Sequence, residues 1–280
     1  MAGAMSGRVV MVTGANAGMG KEIVLALAGM GAGVVMVCRD RGRGEAARGE
    51  VLERSGGGDV ELVVGDMSSQ QSIRSLVREF AASHDRLHVL INNAGVTQPR
   101  RFETADGLES VFATNHLGPF LLTNLLLPVL GAGAPARVVT VASGAHAMGK
   151  MDFADLQAAR GFNEIRAYNQ SKLANLLFTY ELARRIAGTG VTANAADPGF
   201  VKTNLRVPFP YSIFSFMRGA AVDGARPAVF LASSPEVDGI SGRYFGRKGE
   251  VRSSKASYDE ADARRLWTLS AQLTHLDAER

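Results

Sequence analysis

Cysteine is almost absent: Cys38 is the only one in 280 residues. A single thiol excludes an internal disulfide and suits a reducing, cytoplasmic setting. No run approaches the ~20 consecutive apolar residues of a membrane-spanning helix, so no transmembrane segment is predicted. The opening M-A-G-A-M-S-G-R is too short and too weakly apolar to read as a secretory signal. Long charge blocks are also missing. Lys and Arg number 31 against 27 Asp and Glu, a formal +4, and their mixing describes a solvated surface, not a nucleic-acid-binding one. No His, Cys, Asp or Glu cluster has metal-ligand spacing, which predicts no catalytic metal.

What is present is a rhythm. Apolar runs of four to six residues over 8–12, 33–37, 60–64, 88–91, 137–141 and 190–194 alternate with helical patterns near 21–28, 43–54, 70–83, 106–130 and 165–187. Strands alternating with helices at this spacing argue βαβ units and a parallel sheet covered on both faces. No Pro/Gly/Ser linker interrupts them. The predicted fold is α/β, a single doubly wound domain with a central parallel sheet of about seven strands. Only the aromatic-rich stretch 200–218, with two prolines, breaks the rhythm.

In such a sheet, ligands bind beyond the carboxyl ends of the strands, where strand order reverses. The first strand runs into T-G-A-N-A-G-M-G (13–20) and then directly into a helix. Gly14, Gly18 and Gly20 allow a sharp turn and a close approach of backbone to a pyrophosphate. The helix start then offers N–H groups and a positive dipole end to the anion.

The spacing G-x-x-x-G-x-G, N-N-A-G (92–95), Ser143 after the fifth strand and Y-x-x-x-K (168–172) follow one order along nearly the whole chain. In these motifs the chain resembles the short-chain dehydrogenase/reductase family. It is most similar there to retinol dehydrogenase-like members, through V-C-R-D, T-N-H-L-G-P-F-L-L-T, S-G-A-H, Y-N-Q-S-K-L-A-N, S-G-R-Y-F and the tail 258–270, expected to be an amphipathic helix. The resemblance implies a Rossmann-fold oxidoreductase with a nicotinamide cofactor, held by Gly14, Asn16, Gly18, Met19 and Gly20. It places Asp66 and Met67 at the adenine, although Asp66 also reads as a cap for the helix that follows. Asn93, Ala94 and Gly95 would run along the cofactor, with Asn92 structural. Pro198, Gly199 and Val201 would border the nicotinamide, and Thr203 would meet a phosphate.

Arg39 stands where NAD-preferring relatives usually carry an acid. A guanidinium attracts the 2′-phosphate that a carboxylate would repel, so NADP(H) is favoured over NAD(H). Alternatively, R-D-R-G-R (39–43) is a solvated loop in which Asp40 pairs with a neighbouring arginine.

Reducing a ketone or aldehyde requires a hydride at carbon and a proton at oxygen. A free phenol titrates near ~10, and a neighbouring ammonium pulls it down. Tyr168 is therefore assigned as general acid for reduction and base for oxidation, with Lys172 as its tuner and, by resemblance, a holder of the nicotinamide ribose. Ser143 is placed to hydrogen-bond the reacting carbonyl, although locally it also reads as a turn serine. The resemblance makes Asn115 the fourth catalytic member, supporting a water-mediated proton path to Lys172. His116 and His146 read as structural or pocket-lining, and His146 is kept as a pocket candidate.

The family's lid falls at about 200–222. Phe200, Phe209, Tyr211, Phe214 and Phe216 would form an apolar wall for a lipophilic or aromatic carbonyl or alcohol, or would simply cover the sheet's end. A tailoring ketoreductase of a polycyclic or polyketide-type intermediate is the alternative enzyme. A non-catalytic NADP(H) sensor usually lacks the Tyr or the Lys, and both are here. By family analogy, a homodimer or homotetramer would pair through the helices carrying Asn115 and Tyr168.

Overall fold

The structure is a computed structural model that describes residues 3–199 and 220–276. Its strands are β1 (Val9–Thr13), β2 (Gly33–Cys38), β3 (Val60–Val64), β4 (Val89–Asn92), β5 (Ala136–Val141), β6 (Val191–Ala196), β7 (Tyr244–Gly246) and β8 (Gly249–Glu250). They form one sheet in the order β3-β2-β1-β4-β5-β6-β7-β8. β1 to β7 are parallel, as expected, while β8 turns back antiparallel to β7 as a two-residue edge. The sequence reading of about seven strands did not include that edge.

Along β1 and β2 the side chains alternate between two cores. Val10, Val12, Val34 and Met36 pack on one face, and Met11, Val35 and Val37 on the other. Burial on both faces explains why these strands are unbroken apolar runs. One face is covered by α1 (Gly18–Gly29), α2 (Arg41–Ser55) and α7 (Ala221–Ser233). The other carries α3 (Gln70–Ser83), α5 (Gly118–Ala132), α6 (Glu164–Arg185) and α8 (Glu260–Leu273). The predicted helix 106–130 begins later and in pieces: α4 (Ser110–Phe112), then a π turn (Ala113–Leu117) that runs into α5.

β2 and β3 lie to one side of β1, while β4 to β8 lie to the other. Strand order therefore reverses between β1 and β4, and a crevice opens beyond their carboxyl ends. The candidate residues lie around that crevice.

Candidate active site

Thr13 ends β1 and welds the two turns that flank the crevice. Its Oγ1 accepts from the backbone N–H groups of Asn93 and Ala94, each at 3.0 Å. Asn93 Nδ2 donates back to the carbonyls of Thr13 (2.8 Å) and Gly14 (3.3 Å). Asn93 is thus a structural clamp at the place assigned to it along the cofactor. Asn92 is buried and donates to Thr123 Oγ1 at 2.9 Å, the structural role expected of it.

The glycine turn has the geometry for a pyrophosphate. Gly14 and Gly18 have φ of +65° and +54°, a region that strains any side chain. A Cβ on Gly20 would lie 2.2 Å from the Gly14 carbonyl, so the turn closes only without one. A Cβ on Gly18 would meet nothing within 4 Å, which leaves open space in front of the turn. The first turn of α1 has no side-chain cap, and Ala17 stands at the N-cap. Its N–H groups are therefore available to an anion. Asn16 is half-buried in this turn and Met19 is buried beneath it.

Arg39 is exposed just past the end of β2. Asp40 does not pair with a neighbouring guanidinium. Its carboxylate caps α2, accepting from the Arg43 N–H at 2.8 Å. Among the described residues, Arg39 makes no ion pair, which leaves it to a ligand's charge. Asp66 shapes its own turn: Oδ1 accepts from Ser68 N (2.8 Å) and Ser68 Oγ (2.7 Å), while Ser69 caps α3. Met67 is buried, and its carbonyl would lie 2.3 Å from a Cβ on Gly118. The start of α5 therefore seats against it.

Asn115 lies in the π turn with no exposed surface. Its amide is locked on both sides. Oδ1 accepts from Val96 N (2.7 Å), and Nδ2 donates to Val96 O (3.0 Å) and Ser171 Oγ (3.0 Å). With the side chain occupied, the Asn115 amide has no group to spare for a ligand. Pro119 has no N–H, so the Asn115 backbone carbonyl lacks its α-helical donor four residues on.

Tyr168 and Lys172 stand one turn apart near the start of α6, with the ammonium 5.6 Å from the phenol ring's centre. Lys172 is 4% exposed and donates to the Val141 carbonyl at 3.1 Å, which ties α6 to the end of β5. A Cβ on Gly95 would lie 3.7 Å from Lys172 Nζ and 3.5 Å from Asn115 Oδ1. The N-N-A-G turn thus brings Lys172 and Asn115 together. Ser143 follows β5 in extended backbone, and its hydroxyl acts to lower the pKa of the Tyr168 phenol. Asn115, Ser143, Tyr168 and Lys172 share one end of the sheet, beside the crevice.

Burial pushes the Tyr168 phenol up to about 12, against the lowering effect of the Ser143 hydroxyl, and the Asp197 carboxylate raises it further. This corrects the expectation that the neighbouring ammonium pulls the phenol below its ordinary value. Desolvation is the larger effect in the protein by itself, and it acts on both partners. Lys172 is driven down to about 8 by the same burial, with Asp197 partly restoring it.

Asp197 was missed in the sequence reading. It follows β6 in D-P-G. Its Oδ2 accepts from Tyr244 Oη at 2.6 Å and its Oδ1 from Gly199 N at 2.8 Å. The carboxylate therefore sets the Pro198-Gly199 turn, where Gly199 has φ +66°. Arg247 Nε reaches the Pro198 carbonyl at 3.0 Å from β7's far end. The available signal was an acid directly before a Pro-Gly turn at a strand end.

His116 is buried among Phe112, Phe120 and Phe178 and bonds Ser270 Oγ at 2.9 Å. Burial lowers it to about 3, so it stays neutral. His146 is 4% exposed, and both ring nitrogens are already engaged, to Ser143 O and Ser254 N. That is a buried structural pin, the first of the two readings that the sequence left open for it. Val201, Thr203, Phe200, Phe209, Tyr211, Phe214 and Phe216 lie outside the described residues.

The pattern of the family described as short chain dehydrogenase matches residues 8–210. The chain belongs to the short-chain dehydrogenase family. Human retinol dehydrogenase 14 is 42% identical over 296 aligned residues, covering 98% of this chain and 88% of that protein. Human retinol dehydrogenase 12 is 42% identical over 274, covering 96% and 87%. An uncharacterized protein from Mycobacterium Paratuberculosis has a crystal structure with 39% identity and a TM-score of 0.80, covering 96% of this chain and 94% of that one. A structure from Beutenbergia cavernae, assigned by name alone as an NAD(P)-dependent gluconate 5-dehydrogenase and holding NADP at low occupancy, is 28% identical at TM-score 0.68, covering 86% and 95%. This short-chain dehydrogenase is an oxidoreductase acting on CH–OH groups with a nicotinamide cofactor. Among its described residues, no helix is long and apolar enough to cross a membrane.

Proposed function

We propose that the enzyme interconverts an alcohol with a lipophilic aldehyde or ketone, using NADP(H) in preference to NAD(H). The observation that carries this reading is the meeting of Ser143, Tyr168 and Lys172 beside an open glycine turn at the point where strand order reverses. When bound, the cofactor supplies the hydride and, in its oxidised form, a positive charge near the phenol.

Every other step belongs to the chain's own residues. Ser143 hydrogen-bonds the substrate oxygen and orients it toward Tyr168 Oη. With its pKa near 12, Tyr168 is protonated at neutral pH, as reduction requires, and donates that proton to the oxygen. Lys172, with a pKa near 8, is largely charged at neutral pH and favours the phenolate left behind. The proton is replaced along Lys172 toward the Asn115 carbonyl through water. Glycines 14, 18 and 20 and the first turn of α1 cradle the pyrophosphate, and Arg39 takes the 2′-phosphate.

A lipophilic substrate is supported by the aromatic content of 200–218 and by the names of the retinol dehydrogenases that the chain is similar to. The test is turnover of purified protein with NADPH or NADH against a panel of retinal, decanal and benzaldehyde. NADPH-dependent reduction of at least one aldehyde is expected. Tyr168→Phe should lower kcat on the order of 10²- to 10⁴-fold while leaving NADPH binding intact. Full turnover in that variant would sink the mechanism. Firm NADPH binding with no turnover of any carbonyl would favour a sensor.

A further inference from the structure

His146 has two hydrogen-bond partners of opposite kind. Its Nδ1 lies 2.7 Å from the Ser143 carbonyl, which can only accept. Its Nε2 lies 3.0 Å from the Ser254 backbone N–H, which can only donate. The ring is therefore neutral, with its proton on Nδ1, and neither nitrogen is left for substrate. It also meets the Tyr244 ring edge-on at 5.1 Å between centroids.

What lies behind Ser254 gives this pin its direction. Ser253 Oγ bonds Tyr180 Oη at 2.7 Å and Ser257 Oγ at 2.6 Å. Tyr258 stacks on Tyr180 with centroids 5.2 Å apart and planes 12° from parallel. Tyr180 is on α6, the same helix that carries Tyr168. Two routes thus leave one helix and meet at the crevice. One is Tyr168 itself. The other runs from Tyr180 through 253–258 and His146 to Ser143.

We propose that His146 is a positioning residue that holds Ser143 in register with Tyr168, by bonding the serine's carbonyl on one side and the C-terminal segment on the other. The inference rests on the reading of Ser143 as the group that meets the reacting carbonyl. Within the turn Gly144–Met148, Ser143 Oγ accepts from Ala145 N at 3.2 Å and the Ser143 carbonyl accepts from the His146 N–H at 3.1 Å. The His146 ring adds a shorter bond to the same carbonyl and, through Ser254, ties this turn to a segment outside it.

Each half of the pin has its own mimic. An Asn can place its amide N–H where Nδ1–H lies, and a Gln can place its amide oxygen where Nε2 lies. The measurement is steady-state kinetics with NADPH and whichever of retinal, decanal and benzaldehyde turns over fastest, with NADPH affinity by fluorescence titration and Tm alongside. His146→Ala should lower kcat on the order of 10- to 100-fold, because small misplacements of a catalytic group are expensive in rate. KM and NADPH affinity should stay near wild type. His146→Asn should recover more kcat than His146→Gln, whatever their order in Tm. Equal recovery by the two, or kcat that simply follows Tm across the three variants, would overturn the proposal.

A double variant separates this idea from the reading beneath it. Once Ser143→Ala has removed the hydroxyl, adding His146→Ala should cost no further kcat. Losses that multiply, with Ser143→Ala alone already impaired, would overturn the role of His146 and leave Ser143 in place. Full turnover in Ser143→Ala would instead overturn the serine assignment itself. If His146→Ala fails to fold, the comparison of the Asn and Gln variants still decides.

Discussion

Lys172 is a charge kept where water cannot reach it, and it weakens the fold. Its depression from 10.5 to about 8 corresponds to about 3 kcal/mol against the charged form. Lys172→Met keeps the length and removes the charge, at the expense of the bond to Val141. The cofactor-free variant should be inactive and yet melt about 5 °C higher at pH 7. Between pH 8 and 10.5 the unfolded chain holds a proton on this lysine that the folded chain has released. Wild-type stability therefore gains on the variant as pH rises through that window. Thermal melts of both proteins from pH 7 to 10 check this, and a variant that melts lower at pH 7 would refute it. Arg39 offers a second test at this scale. Arg39→Ala should weaken NADPH binding on the order of 10- to 100-fold and leave NADH binding unchanged, as read by titration of intrinsic cofactor fluorescence. The motif residues were legible because each needs a fixed residue type at a fixed spacing. The state of the phenol was not, because burial is a property of everything packed around it.

The element that most departs from a regular pattern is the helix through 110–132. Its periodicity predicted one helix, and the structure divides it at a π turn before Pro119. Proline removes the donor that would pair the Asn115 carbonyl, so the irregular turn is written in the sequence as Pro119 itself. Pro119→Ala restores that donor and invites the Asn115 carbonyl back into the helix. A kcat about tenfold lower, with Tm unchanged or raised, is expected; kinetics and calorimetry together check it. Retained kcat with the turn straightened in a crystal structure would show that the carbonyl has no catalytic part. α7 was not legible at all, since Gly224 and Pro227 both argue against a helix there. It forms because its buried face of Gly224, Ala225, Ala228 and Ala232 lets it pack against the first core layer. Tertiary packing overrides local propensity there.

At the scale of the molecule, α6 is enclosed. Every residue from Asn169 to Leu182 is buried within the one chain. α8 lies across it, with Trp267 against Phe178 and Phe120 and with Arg185 4.3 Å from the indole centre. Leu266 and Ala263 join Leu173 and Leu177 in the same cluster. The family's pairing of subunits through the helices carrying Asn115 and Tyr168 would need a face that α8 already covers. The expected outcome in sedimentation velocity is therefore a monomer, or a dimer whose interface leaves Trp267 shielded. A dimer that releases α8, seen as a large change in the emission of this lone tryptophan on dilution, would contradict the arrangement. The tail helix was legible as amphipathic, but nothing local says which surface its apolar stripe will meet.

The sequence by itself determined the alternation of strands and helices and the glycine turn, and its family motifs nominated Asn115, Ser143, Tyr168 and Lys172. The first two follow from periodicity and from the need for glycine at positive φ, and the four residues from resemblance joined to the chemistry of a phenol beside an ammonium. Tertiary structure decided the rest. It brought Asp197 up to Tyr168 and Lys172, tied His146 to Ser254, and laid α8 over α6. Each of these is a contact between residues far apart in the chain. Its energy depends on desolvation and on which partner arrives, and neither is set until the sheet has brought the strand ends together.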